Sequence, residues 1–149
     1  MKLKETLFKE CVTFVNKRLQ TVEEIIKSNQ KALQSQTKSS AGDKHETGRA
    51  MLQLEIEKAS QQFLSIEVMK SVLTKIDFSK TSNRAHLGSI IETNTINYFL
   101  SISAGKIIVN NKNYFAISVS SPIGRQLMGK KTQEEFFFNG KKFQIEKIS

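Results

Sequence analysis

The 149-residue sequence has a single cysteine, a single proline and no tryptophan. One cysteine excludes an internal disulfide framework and any zinc site built on several thiolates. Only two histidines are present, His45 and His86, and neither belongs to an HExxH-type spacing, which argues against a structural metal site. No apolar run approaches the roughly 18–20 residues that cross a bilayer, and the opening MKLKETLFKE is too charged for a secretory signal. These absences lead to the expectation of a soluble protein in a reducing compartment, cytoplasmic and without a membrane partner. Acidic residues are the scarcer sign, 14 Asp+Glu against 23 Lys+Arg, which leaves a formal charge of +9. Such a surplus favours nucleic acid or an acidic partner surface and says nothing about fold.

Glycine and proline divide the chain unevenly. The glycines stand at 42, 48, 88, 105, 124, 129 and 140 and the proline at 122, so residues 1–41 and 49–87 contain neither. In the first stretch the apolar series Phe8, Val12, Val15, Leu19, Val22, Ile26 continues through Asn29 to Leu33 in steps of four and three, an a/d seam. The second stretch repeats it with Leu52, Ile56, Ala59, Phe63 and Ile66, then Leu73 and Ile76 after a shift near Met69 and Lys70. A helix with one narrow seam must bury it against another. Residues 1–80 are therefore expected to form an antiparallel coiled-coil hairpin with arms of roughly 45 Å. Asn29 reads as a register device on the seam, and Cys11 as an apolar residue of a helix face. The polar break between the arms carries the tip, near residues 42–48. A hairpin that satisfies its own seam needs no partner coil, so the expected state is a monomer.

Beyond Lys80-Thr81-Ser82-Asn83, which reads as a linker, the periodicity becomes two. Segments 90–93, 98–103, 106–109 and 114–119 alternate as strands, with Asn110-Asn111-Lys112-Asn113 as a hairpin turn. Ser121-Pro122 opens a short helix through Leu127, with Ser as N-cap and Pro at the first helical position, and Gly129 ends it. Asn139-Gly140 between Phe136-Phe137-Phe138 and Lys141-Lys142-Phe143-Gln144-Ile145 is a type I′ hairpin signal. Residues 84–149 thus read as a small domain of about five strands and one helix, and the whole chain as α+β.

Three chemistries deserve weighing. Asp43 and Glu46 are the only acids of the tip and stand three apart, so a helical turn puts both on one face, where they can share a Mg²⁺ or simply begin a solvated helix. The basic surplus is split, 14 basic and 10 acidic residues in 1–80 against 9 and 4 in 81–149. Its densest part, Arg125, Lys130, Lys131, Lys141 and Lys142, is interrupted by Glu134 and Glu135, unlike a phosphate track. A thiol enzyme would need Cys11 joined to His45 or His86 across separate elements, and no glycine-rich phosphate loop follows a strand. The chain is not expected to be an enzyme.

Two segments resemble the GreA/GreB family of bacterial transcript cleavage factors. Ser121-Pro122-Ile123-Gly124-Arg125-Gln126-Leu127-Met128-Gly129-Lys130 is similar to that family's C-terminal SPIGRALLGK signature, and Gly42-Asp43-x-x-Glu46 to the GDxxEN at its coiled-coil tip. The order of parts agrees as well: hairpin, linker, a leading His86-Leu87-Gly88-Ser89 strand, then a small sheet. The resemblance implies an FKBP-like, antiparallel C-terminal domain that docks on RNA polymerase, through Ser121, Pro122, Ile123, Gly124, Arg125, Gly129 and Lys130. It also implies a hairpin that enters the polymerase's secondary channel and meets the nascent RNA 3′ end only there. Asp43 and Glu46 would then help hold a Mg²⁺ jointly with the polymerase, not alone, for cleavage of backtracked RNA. Lys44 and Arg49 are available for RNA contact. Where the family has Asn-Ala-Glu-Tyr after the second acid, this chain has Thr47-Gly48-Arg49-Ala50, replacing an acid by Arg49. The alternatives are a regulator that occupies the channel without stimulating cleavage and a free-standing nucleic-acid binder.

Overall fold

The computed structural model describes residues 2–37 and 43–149, and of residues 36, 37 and 43–45 the backbone alone. Two long helices come first, α1 (Lys2–Thr37) and α2 (Asp43–Thr74). Six strands and a short helix follow: β1 (Ile90–Thr93), β2 (Asn97–Ser101), β3 (Gly105–Val109), β4 (Lys112–Ser118), α3 (Pro122–Leu127), β5 (Glu135–Phe138) and β6 (Lys141–Ile148). The fold is α+β, a helical hairpin followed by a sheet domain. Contacts divide it into two compact units, Val15–Met69, and Met1–Phe14 together with Lys70–Ser149.

In the helical unit the seam is plain. Val15, Leu19, Val22, Ile26, Asn29 and Leu33 are buried or half-buried, and every other residue from 16 to 35 is exposed. On α2, Leu52, Ile56, Ala59, Phe63 and Ile66 do the same, and Met69 rather than Lys70 takes the next inward position. One shallow groove is lined by Ile25 and Asn29 with Glu55, and its neighbour by Ile25 with Ala59 and Gln62, so rising numbers on α1 meet falling numbers on α2. This is the antiparallel arrangement. The two helices differ on their outer faces: α2 also exposes Met51, Leu54, Leu64 and Val68, each more than half accessible.

At the start of α1 the seam changes. Phe8 and Val12 are only half-buried, and Lys4, Leu7 and Cys11 turn inward in their place. There α1 belongs to the sheet unit, where the Cys11 Sγ lies 3.6 Å from the Ser101 Oγ on β2 and the rings of Phe8 and Phe78 meet edge to face at 5.1 Å. A flat sheet face asks for a different stripe from a partner helix.

The strand order is β3-β4-β2-β1-β6-β5. Six strands form where about five were expected, and the sheet is mixed, since β2 pairs β4 in parallel while the other four pairings are antiparallel. The central β2 is consequently covered on both faces, with Tyr98 and Leu100 in one core and Phe99 and Ser101 on the other side. Leu127 of α3, Phe136, Phe143, Ile145 and Ile91 complete that first core. Both short hairpins turn as type I′, with positive φ at Asn110 (52°) and Asn111 (64°) and at Asn139 (53°) and Gly140 (76°). The expected leading strand at His86-Leu87-Gly88-Ser89 is instead a turn. Gly88 has φ +93°, the Ser89 N–H bonds the His86 carbonyl at 2.9 Å, and regular pairing begins at Ile90.

Candidate functional site

Asp43 is the first residue of α2 and Glu46 lies one turn further on. The backbone thus makes the two acidic positions i,i+3 neighbours on one helix surface. The first turn of a helix also favours carboxylates, since its free N–H groups carry partial positive charge. The Glu46 side chain is exposed. Gly42 and the side chains of Asp43 and Lys44 lie outside the described residues. Two carboxylates are the hard oxygen donors that Mg²⁺ accepts when water or phosphate fills its other positions, so the donor set fits the ion. They fall short of a closed site, and among the described residues no group of three or more His, Cys, Asp or Glu side chains is arranged to hold a metal.

Arg49 stands on the α2 seam, which the sequence periodicity is read as entering only at Leu52. It is half-buried and continues the inward spacing of Leu52, Ile56 and Ala59 by one step toward the tip. Arg49 is therefore also a seam residue, its aliphatic stem available for packing. Counting back from Leu52 in steps of three and four was the signal.

The Ser121–Lys130 segment is held by local chemistry. The Ser121 Oγ accepts the Gly124 N–H at 3.1 Å and donates to the Ser118 carbonyl at 2.6 Å, while Pro122 takes the first helical position. Leu127 is fully buried and Ile123 packs against the same core. A Cβ on Gly124 would stand 2.0 Å from the Ser118 carbonyl oxygen, closer than any side chain can come. Gly129, at φ +80°, donates its N–H to the Ala85 carbonyl (2.9 Å), and its own carbonyl accepts from the Arg84 guanidinium (3.0 Å). The Ala85 N–H returns to the Lys130 carbonyl at 2.8 Å. Ser121, Ile123 and Gly124 are thereby tied into the fold. Pro122, Arg125 and Gly129 are exposed and Lys130 is half-buried. Exposed Arg84 and Lys131 are paired by an isolated bridge. Arg84 is unremarkable in the sequence because its acceptor lies 45 residues away.

Cys11 is fully buried, and burial, reinforced by the Glu10 charge and opposed by the Ser101 hydrogen bond, pushes its thiol up to about 11. Such a thiol holds little thiolate at neutral pH and packs as an apolar residue. Among the described residues no helix is long and apolar enough to cross a membrane.

No protein-family model and no curated protein matches the sequence. Among solved structures the chain is similar to one described as "Structure of the transcription factor Gfh1", at 19% identity over 90% of each chain and with a TM-score of 0.35. A likeness that distant carries no argument about activity.

Proposed function

We propose that this chain is a Gre-like transcription elongation factor, one that binds RNA polymerase through its secondary channel and stimulates cleavage of backtracked RNA. The observation that carries the reading is the acidic pair, Asp43 and Glu46, on the first turn of α2 at the loop end of a helical hairpin. The Ser121–Lys130 signature supports it from the other half of the sequence. On this reading the protein is no enzyme by itself but stimulates the polymerase's own endonucleolytic activity. Its work is to present two carboxylates to a site whose remaining ligands belong to the polymerase. Mg²⁺ held there supplies charge stabilisation and an activated water for phosphodiester hydrolysis. Arg125, with Pro122, Gly129 and Lys130, is assigned to the polymerase contact, and Lys44 and Arg49 remain the candidates for meeting RNA.

The test uses stalled, backtracked complexes of the cognate polymerase. The wild-type chain is expected to release short RNA from the 3′ end, and Asp43→Ala/Glu46→Ala to slow that release at least about tenfold while still competing for the polymerase. Equal cleavage by both proteins would sink the reading. A second reading rests on Arg49 standing where the family carries an acid: a channel-binding regulator that inhibits synthesis. It is favoured if wild type slows elongation and releases no RNA fragment.

A further inference from the structure

A solvated arm of a hairpin ordinarily keeps charge on its outer face, and α1 does so. Between residues 16 and 35 it exposes Lys17, Arg18, Lys27 and Lys31, with Ile25 as the one large apolar side chain among them. The outer face of α2 is different. Met51, Leu54, Leu64 and Val68 are each more than half accessible. Leu54, Gln61 and Val68 recur every seventh residue, two positions from the seam residues Ile56, Ala59 and Ile66, and so lie on the opposite side of the helix. Met51 precedes Leu54 by three and Leu64 follows Gln61 by three, which places them on the two flanks of that line. The stripe runs roughly 26 Å along α2. Helix α2 therefore carries a second apolar face besides the one the hairpin buries.

The charges on this face say what fits it. Midway along the stripe, between Leu54 and Gln61, stand exposed Glu57 and Lys58, three and four residues after Leu54. At that spacing they flank the line on opposite sides, the carboxylate on the side of Leu64 and the amine on the side of Met51. One charge of each sign suits neither an acidic nor a basic partner, and a membrane surface would ask for Lys and Arg along both flanks. A second copy of the same face, set parallel and in register about a two-fold axis, meets the pattern. Lys58 then faces the partner's Glu57 on one flank, and Glu57 faces the partner's Lys58 on the other. An antiparallel two-fold would instead place like charges on the same flank. Flanking charges set partner orientation in this way in paired helices.

We infer that α2 pairs with α2 of a second copy of this chain, parallel and in register, along Met51, Leu54, Gln61, Leu64 and Val68. In that register Leu54 and Val68 meet their own counterparts at the two ends of the stripe, and the Gln61 amides meet at its middle. The seam of the hairpin needs no partner coil, but this second stripe does. A single helix pair of that length belongs to the small, transient class of interfaces, so a dissociation constant on the order of 10–100 μM is expected. The inference is independent of the polymerase reading.

Sedimentation equilibrium of the full chain from about 5 to about 500 μM is expected to show a monomer–dimer equilibrium. Leu64→Lys/Val68→Lys should weaken it about tenfold or more, since it puts charge into the contact. Both side chains are exposed in the monomer, so the variant should melt like wild type at a dilution where neither associates. Lys58→Glu and Glu57→Lys should each weaken pairing, because each sets like charges across both flanks. An equimolar mixture of those two variants should associate at least as tightly as wild type. Leu54→Cys, oxidised at high concentration, should give a dimer linked 54 to 54, which a parallel register alone brings within disulfide reach, while Cys11 is buried. A chain monomeric throughout overturns the inference and leaves the stripe to a different protein. It is equally overturned if Leu64→Lys/Val68→Lys dimerises like wild type, if the mixture is no tighter than its components, or if no 54-to-54 link forms.

Discussion

Gly124 stands where no side chain fits. The obstacle is the Ser118 carbonyl, 2.0 Å from the place a Cβ would occupy, and that carbonyl is itself fixed by the Ser121 hydroxyl and by the Ser121 N–H at 3.1 Å. Gly124→Ala is therefore expected to destabilise the protein by about 2 kcal/mol or more, because backbone must move to admit one methyl. Gly129→Ala meets open space and only a positive φ, so about 1 kcal/mol is expected there. Urea denaturation of the two variants measures both, and equal losses would contradict the steric account. The cap of α3 was legible in the sequence because Ser-Pro chemistry is local. The need for glycine at 124 was not, since it arises only when the chain folds back on Ser118. Lys4 makes the same point, for nothing in a charged amino-terminal stretch announces a lysine only 6% exposed.

At the scale of elements, the periodicity of α1 proved a faithful guide from Val15 to Leu33 and a partial one before it. The helix does not change at Val15; what it packs against does, from a second helix to a sheet whose β2 offers Ser101 to Cys11. Periodicity reports that a stripe is apolar, not which surface receives it. The Asn139-Gly140 type I′ turn was legible, and the other hairpin was legible as a turn over residues 110–113, of which Asn110 and Asn111 take the positive φ. The parallel β2–β4 pairing was not, because alternation is the same for either strand direction. Asn29 is half-buried in an otherwise apolar seam, where an amide lowers stability in exchange for register. Asn29→Leu is expected to raise the stability of the helical unit by about 1 kcal/mol. A higher melting temperature by circular dichroism, with additional NMR resonances from slipped pairings, would show both effects, and an unchanged melt would refute the first.

The whole molecule joins two units with unequal cores. Among the described residues between Val15 and Met69 the buried side chains are Val15, Val22, Ala59 and Ile66, all on the seam, whereas the sheet unit buries Phe99, Leu100, Ile91, Ile145 and Leu127 to 0% exposure. Opening free energy follows such burial, so native-state hydrogen exchange should leave β1, β2 and β6 protected longest and the amides of Val15–Met69 exchanging earlier. Uniform protection across both units would show instead that they open together. The tip acids were legible only as a position in sequence, because under the proposed function their chemistry is completed by ligands another protein brings. The strand order has a last consequence, for the timing of synthesis. β6 is made after the other five strands and lies between β1 and β5, and β2 of the same sheet also receives Cys11 of α1, made before any of them. Domains usually condense in the order they leave the ribosome. Here the amino-terminal turns of α1 must wait, apolar face uncovered, until residue 148 has emerged, which makes this nascent chain a natural client for a chaperone that shields helices.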